Sequence, residues 1–151
     1  MNIFEDDLSG REIRALLEVH FAGMLANSPE GSCHFLDIEG LKSPDVTFWS
    51  IWDGDSLVGM GALKQHDAAL GEVKSMRTHE AHLGRRVGAA MLTHIVAVAR
   101  TRGLARLSLE TGSSPAFDAA HALYTRFGFV YCEPFADYHA DPFSRFMTLE
   151  L

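Results

Sequence analysis

The sequence predicts a mixed α/β (α+β) fold: a mostly antiparallel central sheet with helices on both faces. Three observations predict it. Strand-like segments crowd residues 46–78 with short turns between them, which suits neighbouring antiparallel strands. Two amphipathic runs, near residues 87–102 and 117–127, are each followed by a strand-like segment, and that alternation builds βαβ units. The chain has 151 residues, enough to bury one core, so residues 1–151 are read as a single domain.

The elements follow in order. Residues 2–6 read as a short first strand. Ile13, Leu16, Leu17, His20, Phe21, Met24 and Leu25 then recur at helical spacing. Ser9 precedes that run and Glu12 stands three residues on, the pattern of a capping box. Asn27-Ser28-Pro29 ends the helix, because proline disfavours helix in the residue before it. A short second helix is expected over 35–41. Residues 46–52 are rich in β-branched and aromatic side chains. Asp53-Gly54-Asp55 marks a tight turn, and 57–64 is the return arm. After a turn near 68–71, residues 72–78 form a third strand. Val87, Met91, Ile95 and Val98 share one face of a long helix that Gly103 is placed to end. Residues 105–111 alternate, with Leu107 and Leu109 opposed to Ser108 and Glu110. A helix over 117–127, closed by Gly128, and strands over 129–132 and 143–151 complete the chain. Antiparallel strands followed by βαβ units make a mixed sheet.

Composition narrows the function classes. Hydrophobic residues at 47% and charged residues at 22% fit neither a disordered chain nor a fibrous repeat. The net charge of −7 argues against a nucleic-acid binder, which shows a basic footprint. Cys33 and Cys132 lie far apart and read as reduced thiols rather than a disulfide framework. The first residues carry no basic stretch or apolar run of a signal peptide. The longest apolar stretch, 95–99, is far too short to span a bilayer. The expectation is a cytoplasmic protein with no membrane partner.

The most informative stretch runs over 76–92, where a strand passes through a glycine-containing loop into a long helix. The first N–H groups of a helix lack internal partners and carry the positive end of its dipole, so they bind anions. Arg85 and Arg86 add charge there. By itself the stretch reads equally well as a helix start with solvated arginines. It is neither a P-loop nor a dinucleotide fingerprint.

At these residues the sequence resembles the GNAT acetyltransferase family, in its small bacterial branch. The family's cofactor motif, Arg/Gln-x-x-Gly-x-Gly/Ala, falls on Leu83-Gly84-Arg85-Arg86-Val87-Gly88. Gly88 is kept, Leu83 replaces the polar residue, and Arg86 replaces the first glycine. Leu123-Tyr124-Thr125-Arg126-Phe127-Gly128-Phe129 is similar to the family's Leu-Tyr-x-x-x-Gly-Phe at the end of its second long helix. Segments such as Gly61-Ala62-Leu63-Lys64 and Leu109-Glu110-Thr111-Gly112 extend the resemblance over nearly the whole chain. The resemblance implies a GNAT-like sheet with an acyl-CoA wedge between two splayed strands. It also implies acetyl-CoA as acyl donor and a primary amine, on a small molecule or a protein, that attacks the thioester directly. The cofactor residues it implies are Met76, Arg77, Thr78, Gly84, Arg85, Arg86, Val87, Gly88 and Ala89. Dimers are common in the family, so a homodimer is an expectation of the resemblance alone.

The chemistry asks for three groups. A lysine-like ammonium with a pKa of ~10.4 is almost wholly protonated at neutral pH and needs a base. Glu72 and Glu110, on neighbouring strands, are the candidates. Each also has a structural reading: an ion pair with Lys74 for Glu72, and a buried acceptor for the Gly112-Ser113-Ser114 turn for Glu110. The oxyanion needs a donor, and the resemblance implies a backbone N–H near Met76. The leaving thiolate needs a proton, and Tyr124 is the candidate, although its helical spacing with Phe117 and Phe127 also suits plain core. For the substrate pocket the fold implied by the resemblance points to the region of His20, Ser32, His34 and Tyr138. His20 fits the apolar face of its helix equally well. No metal site is expected, since His79-Glu80-Ala81-His82 lacks the four-residue helical spacing of zinc proteases. The net negative charge favours a cationic substrate weakly, through long-range steering. A non-catalytic acyl-CoA sensor on the same fold is the rival reading.

Overall fold

Alternation along the third strand divides the molecule into two cores. In the computed structural model, which describes residues 1–151, the strands are β1 (Asn2–Glu5), β2 (Val46–Asp53), β3 (Ser56–Gln65), β4 (Leu70–Thr78), β5 (Arg106–Thr111), β6 (Val130–Cys132) and β7 (Arg145–Glu150). The helices are α1 (Arg11–Asn27), α2 (Ile38–Leu41), α3 (Val87–Thr101) and α4 (Asp118–Arg126). Leu57, Met60 and Ala62 of β3 face the smaller core with Ile13, Leu16 and Leu17 of α1 and Leu41 of α2. Val58 and Leu63 face the larger core, where Val87, Met91, Leu92 and Ile95 of α3 pack with Tyr124 and Phe129. Each large apolar side chain buried in this way contributes about 1.5–3 kcal/mol. Helices therefore cover both faces, as the sequence predicts. No helix is long and apolar enough to cross a membrane.

The sheet runs β1-β2-β3-β4-β5-β7-β6, antiparallel except between β4 and β5. Gly54, with φ 59°, makes the two-residue turn that joins β2 to β3. Two glycines of β3 let α3 settle on the sheet: a Cβ on Gly61 would lie 2.6 Å from Met91 Cγ, and one on Gly59 would lie 2.7 Å from Val87 Cγ1. The expected capping box does not form. Leu8 turns inward at φ 68° and is buried, which moves Ser9 out of the cap position. Ser9 Oγ instead donates to Asp7 Oδ1 at 2.6 Å, and α1 starts after Gly10 with no side-chain cap. The helix expected over 35–41 is shortened to α2, capped by Asp37, which accepts from the Gly40 N–H. The expected helix over 117–127 divides into a 3₁₀ turn, Pro115–Phe117, and α4.

Two irregularities in β4 shape the site. It pairs with β5 only where Leu70–Glu72 meet Arg106–Ser108; beyond that the strands part. On its other side the register with β3 shifts, so that Ser75 and Met76 together oppose Gly61, with Ser75 in the left-handed region at φ 55°. This is a β-bulge, which bends the strand and leaves its extra residue out of the ladder.

Candidate active site

The loop between β4 and α3 delivers an uncapped helix end to the mouth of the gap. Gly84 has φ 79°, and Arg86, the residue before α3, has φ 63° and ψ 26°. Arg86 thus holds the left-handed conformation that glycine adopts freely, at a cost of about 1–2 kcal/mol. No side chain caps α3 and its first turn holds no acid, so the N–H groups of Val87, Gly88 and Ala89 are left for an anion. Arg85 and Arg86 are exposed beside them, and Arg85 Nη1 lies 3.4 Å from His82 Nδ1.

From this end a cleft of about 270 Å³ follows the gap, lined by Met76, Arg77 and Thr78 of β4, Val87, Gly88 and Met91 of α3, and Leu123 and Tyr124 of α4. Six of the residues assigned to the cofactor or to catalysis from sequence line this cleft: Met76, Arg77, Thr78, Val87, Gly88 and Tyr124. The Arg77 side chain turns away from the helix end, and its Nε donates to His20 Nδ1 at 2.9 Å. Burial pulls the His20 pKa down to about 4, followed by the Arg77 charge, so His20 is neutral and accepts that bond. No carboxylate pairs with Arg77.

Tyr124 links this cleft to a smaller cavity of about 90 Å³, where Glu110, Ser75, Met76, His20 and His34 meet. Burial raises the Tyr124 phenol well above its ordinary value, which keeps its proton in place. Glu110 stands at the end of β5 where β4 has already parted from it. Burial pushes its carboxyl up to about 7, against a smaller lowering by Ser144 and Lys74. A carboxyl that titrates near neutrality is matched to proton transfer at working pH.

The small cavity opens toward a third space of about 560 Å³, between the segment after α1 and the loop from β6 to β7. Ser32, His34 and Tyr138, named from the sequence, line it; His20 does not and lies in the small cavity only. Glu72 lies on its floor, 2% exposed, and its oxygens are occupied. Tyr138 OH donates to Oε2 at 2.6 Å and Lys74 Nζ donates to the same oxygen at 3.2 Å. His66 Nε2 is 2.8 Å from Oε1. Burial raises the Glu72 pKa, but the bonds from His66, Lys74 and Tyr138 outweigh it and hold the carboxyl below its usual range. Lys74 Nζ also donates to Tyr138 OH at 2.9 Å. The ion pair between Glu72 and Lys74 is thus one part of a larger network. Sequence reading missed Lys64, His66 and Lys74 as cavity residues. The signal for the lysines was available: β3 and β4 are hairpin partners, and Lys64 falls opposite Glu72.

A model of the Acetyltransferase (GNAT) family matches residues 12–129. The chain belongs to the GNAT acetyltransferase family. It is 52% identical over 151 residues to the uncharacterized N-acetyltransferase YsnE of Bacillus subtilis, covering all of both chains. A solved acyl-CoA N-acyltransferase structure from Klebsiella pneumoniae matches with a TM-score of 0.80 at 30% identity, over 99% of this chain and 97% of that one. A GNAT acetyltransferase from Elizabethkingia anophelis, solved with acetyl-CoA bound, shares the fold at 15% identity, with a TM-score of 0.68 over 99% of this chain and 97% of that one. The GNAT chain is therefore an acyltransferase, and acetyl-CoA is its acyl donor. The cleft fits that donor: an uncapped helix end and two arginines for phosphates at one end, and a narrow, largely apolar gap between parted strands beyond it.

Proposed function

We propose that residues 1–151 form one catalytic domain that acetylates a primary amine, on a small molecule or an exposed position of a protein. One observation carries this reading: the donor cleft and the acceptor cavities meet at Tyr124 and Glu110, a held proton beside a carboxyl of neutral pKa. Bound acetyl-CoA supplies a thioester-activated acetyl group. The N–H groups of Val87, Gly88 and Ala89, with Arg85, Arg86 and Gly84, hold its phosphates. The backbone of Met76, Arg77 and Thr78, on the side where β4 has parted from β5, holds its arm as a peptide is held at a sheet edge.

Glu110 takes the proton from the incoming ammonium, so that the nitrogen arrives with a free lone pair. The role goes to Glu110 rather than Glu72, because Glu72 is engaged by three donors and held below its usual range. The Met76 N–H, beside the bulge, donates to the oxygen on which charge develops. As the C–S bond breaks, Tyr124 gives its proton to the departing sulfur and is reprotonated by the second proton that the nitrogen sheds on becoming an amide. Ser32, His34 and Tyr138 line the acceptor's approach, and His20 braces the small cavity. The same proposal places the enzyme in the cytoplasm, where free Cys33 and Cys132 stay reduced, and takes the homodimer common in the family as its state. Calorimetry with acetyl-CoA tests it, with a thermal-shift assay in parallel. Micromolar binding is the expected result; no binding at millimolar donor would remove the enzyme reading.

A further inference from the structure

The floor of the acceptor cavity gathers cations in a chain whose net charge is −7. On its floor one carboxylate, Glu72, is flanked by two ammonium groups. Lys74 lies two residues along β4 and so on the same face, and Lys64 lies directly across on β3. Glu72 pairs with Lys74 and His66, whereas Lys64, half-buried in the same wall, forms no ion pair. The floor therefore holds two lysine charges against one acid.

Two further acids, Asp137 and Asp141, line the opposite wall, so the lysines outnumber the acids on the floor alone. Asp141 Oδ1 accepts the N–H groups of Phe143 and Ser144, both at 2.8 Å, and Oδ2 accepts the Ser144 hydroxyl at 2.9 Å. Asp137 is exposed at the rim. The groups left for a ligand are mostly donors: the Lys64 ammonium and the third N–H of Lys74, since two already go to Glu72 and Tyr138. The rings of His34 and His139 line the same space. Lys74 and His34 also line the small cavity that holds Glu110, so a short molecule can reach both. A polyamine would place its remaining cations against two ammonium groups. A molecule with an amine and an acid would satisfy both ends.

We propose that the acceptor is an amine that carries its own carboxylate, of the amino-acid class, with the carboxylate against Lys64 and Lys74 and the nitrogen at Glu110. This rests on the acetyl-transfer reading above. The net charge of −7 acts at long range, whereas these lysines act within the cavity, where screening is weaker.

The test follows release of free coenzyme A thiol from acetyl-CoA with three sets of acceptors: free α-, β- and γ-amino acids, the same compounds as carboxamides, and spermidine with its homologues. At least one free acid is expected to exceed its carboxamide and spermidine tenfold or more in kcat/KM. Lys64→Met, which breaks no ion pair, is expected to raise KM for that acid at least tenfold, to spare kcat, and to leave the carboxamide unchanged. Lys64→Arg should restore most of the loss. Equal use of acid and carboxamide, preference for spermidine, or indifference to Lys64→Met would overturn the proposal. Acetyl-CoA binding without turnover of any amino acid would overturn it and leave the donor reading standing. Absence of acetyl-CoA binding would overturn both.

Discussion

The donor cleft and the acceptor cavity sit side by side and are made of different materials. The cleft uses backbone and small or apolar side chains: a helix end, two parted strands, and residues such as Met76, Val87, Gly88 and Leu123. The acceptor cavity uses side chains that carry charge, held by one another: Glu72 by His66, Lys74 and Tyr138. Backbone geometry tolerates many sequences, so the cleft can serve one donor in many enzymes. A side-chain network depends on each member, so the cavity is where one acceptor is distinguished from another. Tyr124 and Glu110 stand where the two meet.

That division can be broken from either side. Tyr124→Phe should lower kcat by about 10²–10⁴-fold, the usual worth of a positioned acid. Acetyl-CoA affinity measured by calorimetry should stay within about threefold, because the ring still fills the cleft. Unchanged turnover would remove Tyr124 from the chemistry. Glu110→Gln should lower kcat about 10²-fold or more and abolish the rise of activity with pH centred near 7. The same carboxyl affects stability. Its pKa is raised from 4.5 to about 7, so the folded state holds a proton that the unfolded chain has lost, and stability falls as pH rises through that window. Glu110→Gln should flatten that part of a Tm–pH curve.

Changes on the scaffold side should be smaller and should read in stability. Gly61→Ala puts a methyl against Met91 and Met76 Sδ, and overpacking of this kind costs about 1–3 kcal/mol. A lower Tm with intact kcat would place the damage in the fold; a lost kcat would show that the bulge opposite Gly61 transmits it. Arg86→Gly should relieve left-handed strain of about 1 kcal/mol and raise Tm slightly. Calorimetry on that variant separates the two roles for this side chain: weaker acetyl-CoA binding means that Arg86 contacts the phosphates, and tighter binding means that it crowds them.

The same contrast explains what could be read in advance. The order of elements, the hairpin at Gly54 and the helix over 87–101 follow from spacing and turn chemistry, which are local. The parting of β4 from β5 and the place of Tyr124 came from motif resemblance, because no local rule encodes where a sheet opens. The left-handed backbone at Ser75 and Leu8 left no trace in residue type, since neither position is glycine or asparagine. Glu72 and Glu110 looked alike as strand acids. What separates them is a set of partners from distant segments: Tyr138 reaches Glu72 across 66 positions of sequence, and only the folded chain brings them together.

A sheet that parts in its middle has four edges rather than two. The outer pair are blunted by brevity, four residues in β1 and three in β6, a common protection against unwanted strand pairing with other chains. The inner pair, the far ends of β4 and β5, run deeper into the molecule between α3, α4 and the acceptor cavity. A strand from another protein brings side chains on both faces and has no room there, whereas a thin, flexible chain of amide groups does. The open backbone that invites aggregation at a rim is therefore selective in the interior, and the same gap that admits a ligand excludes a neighbour.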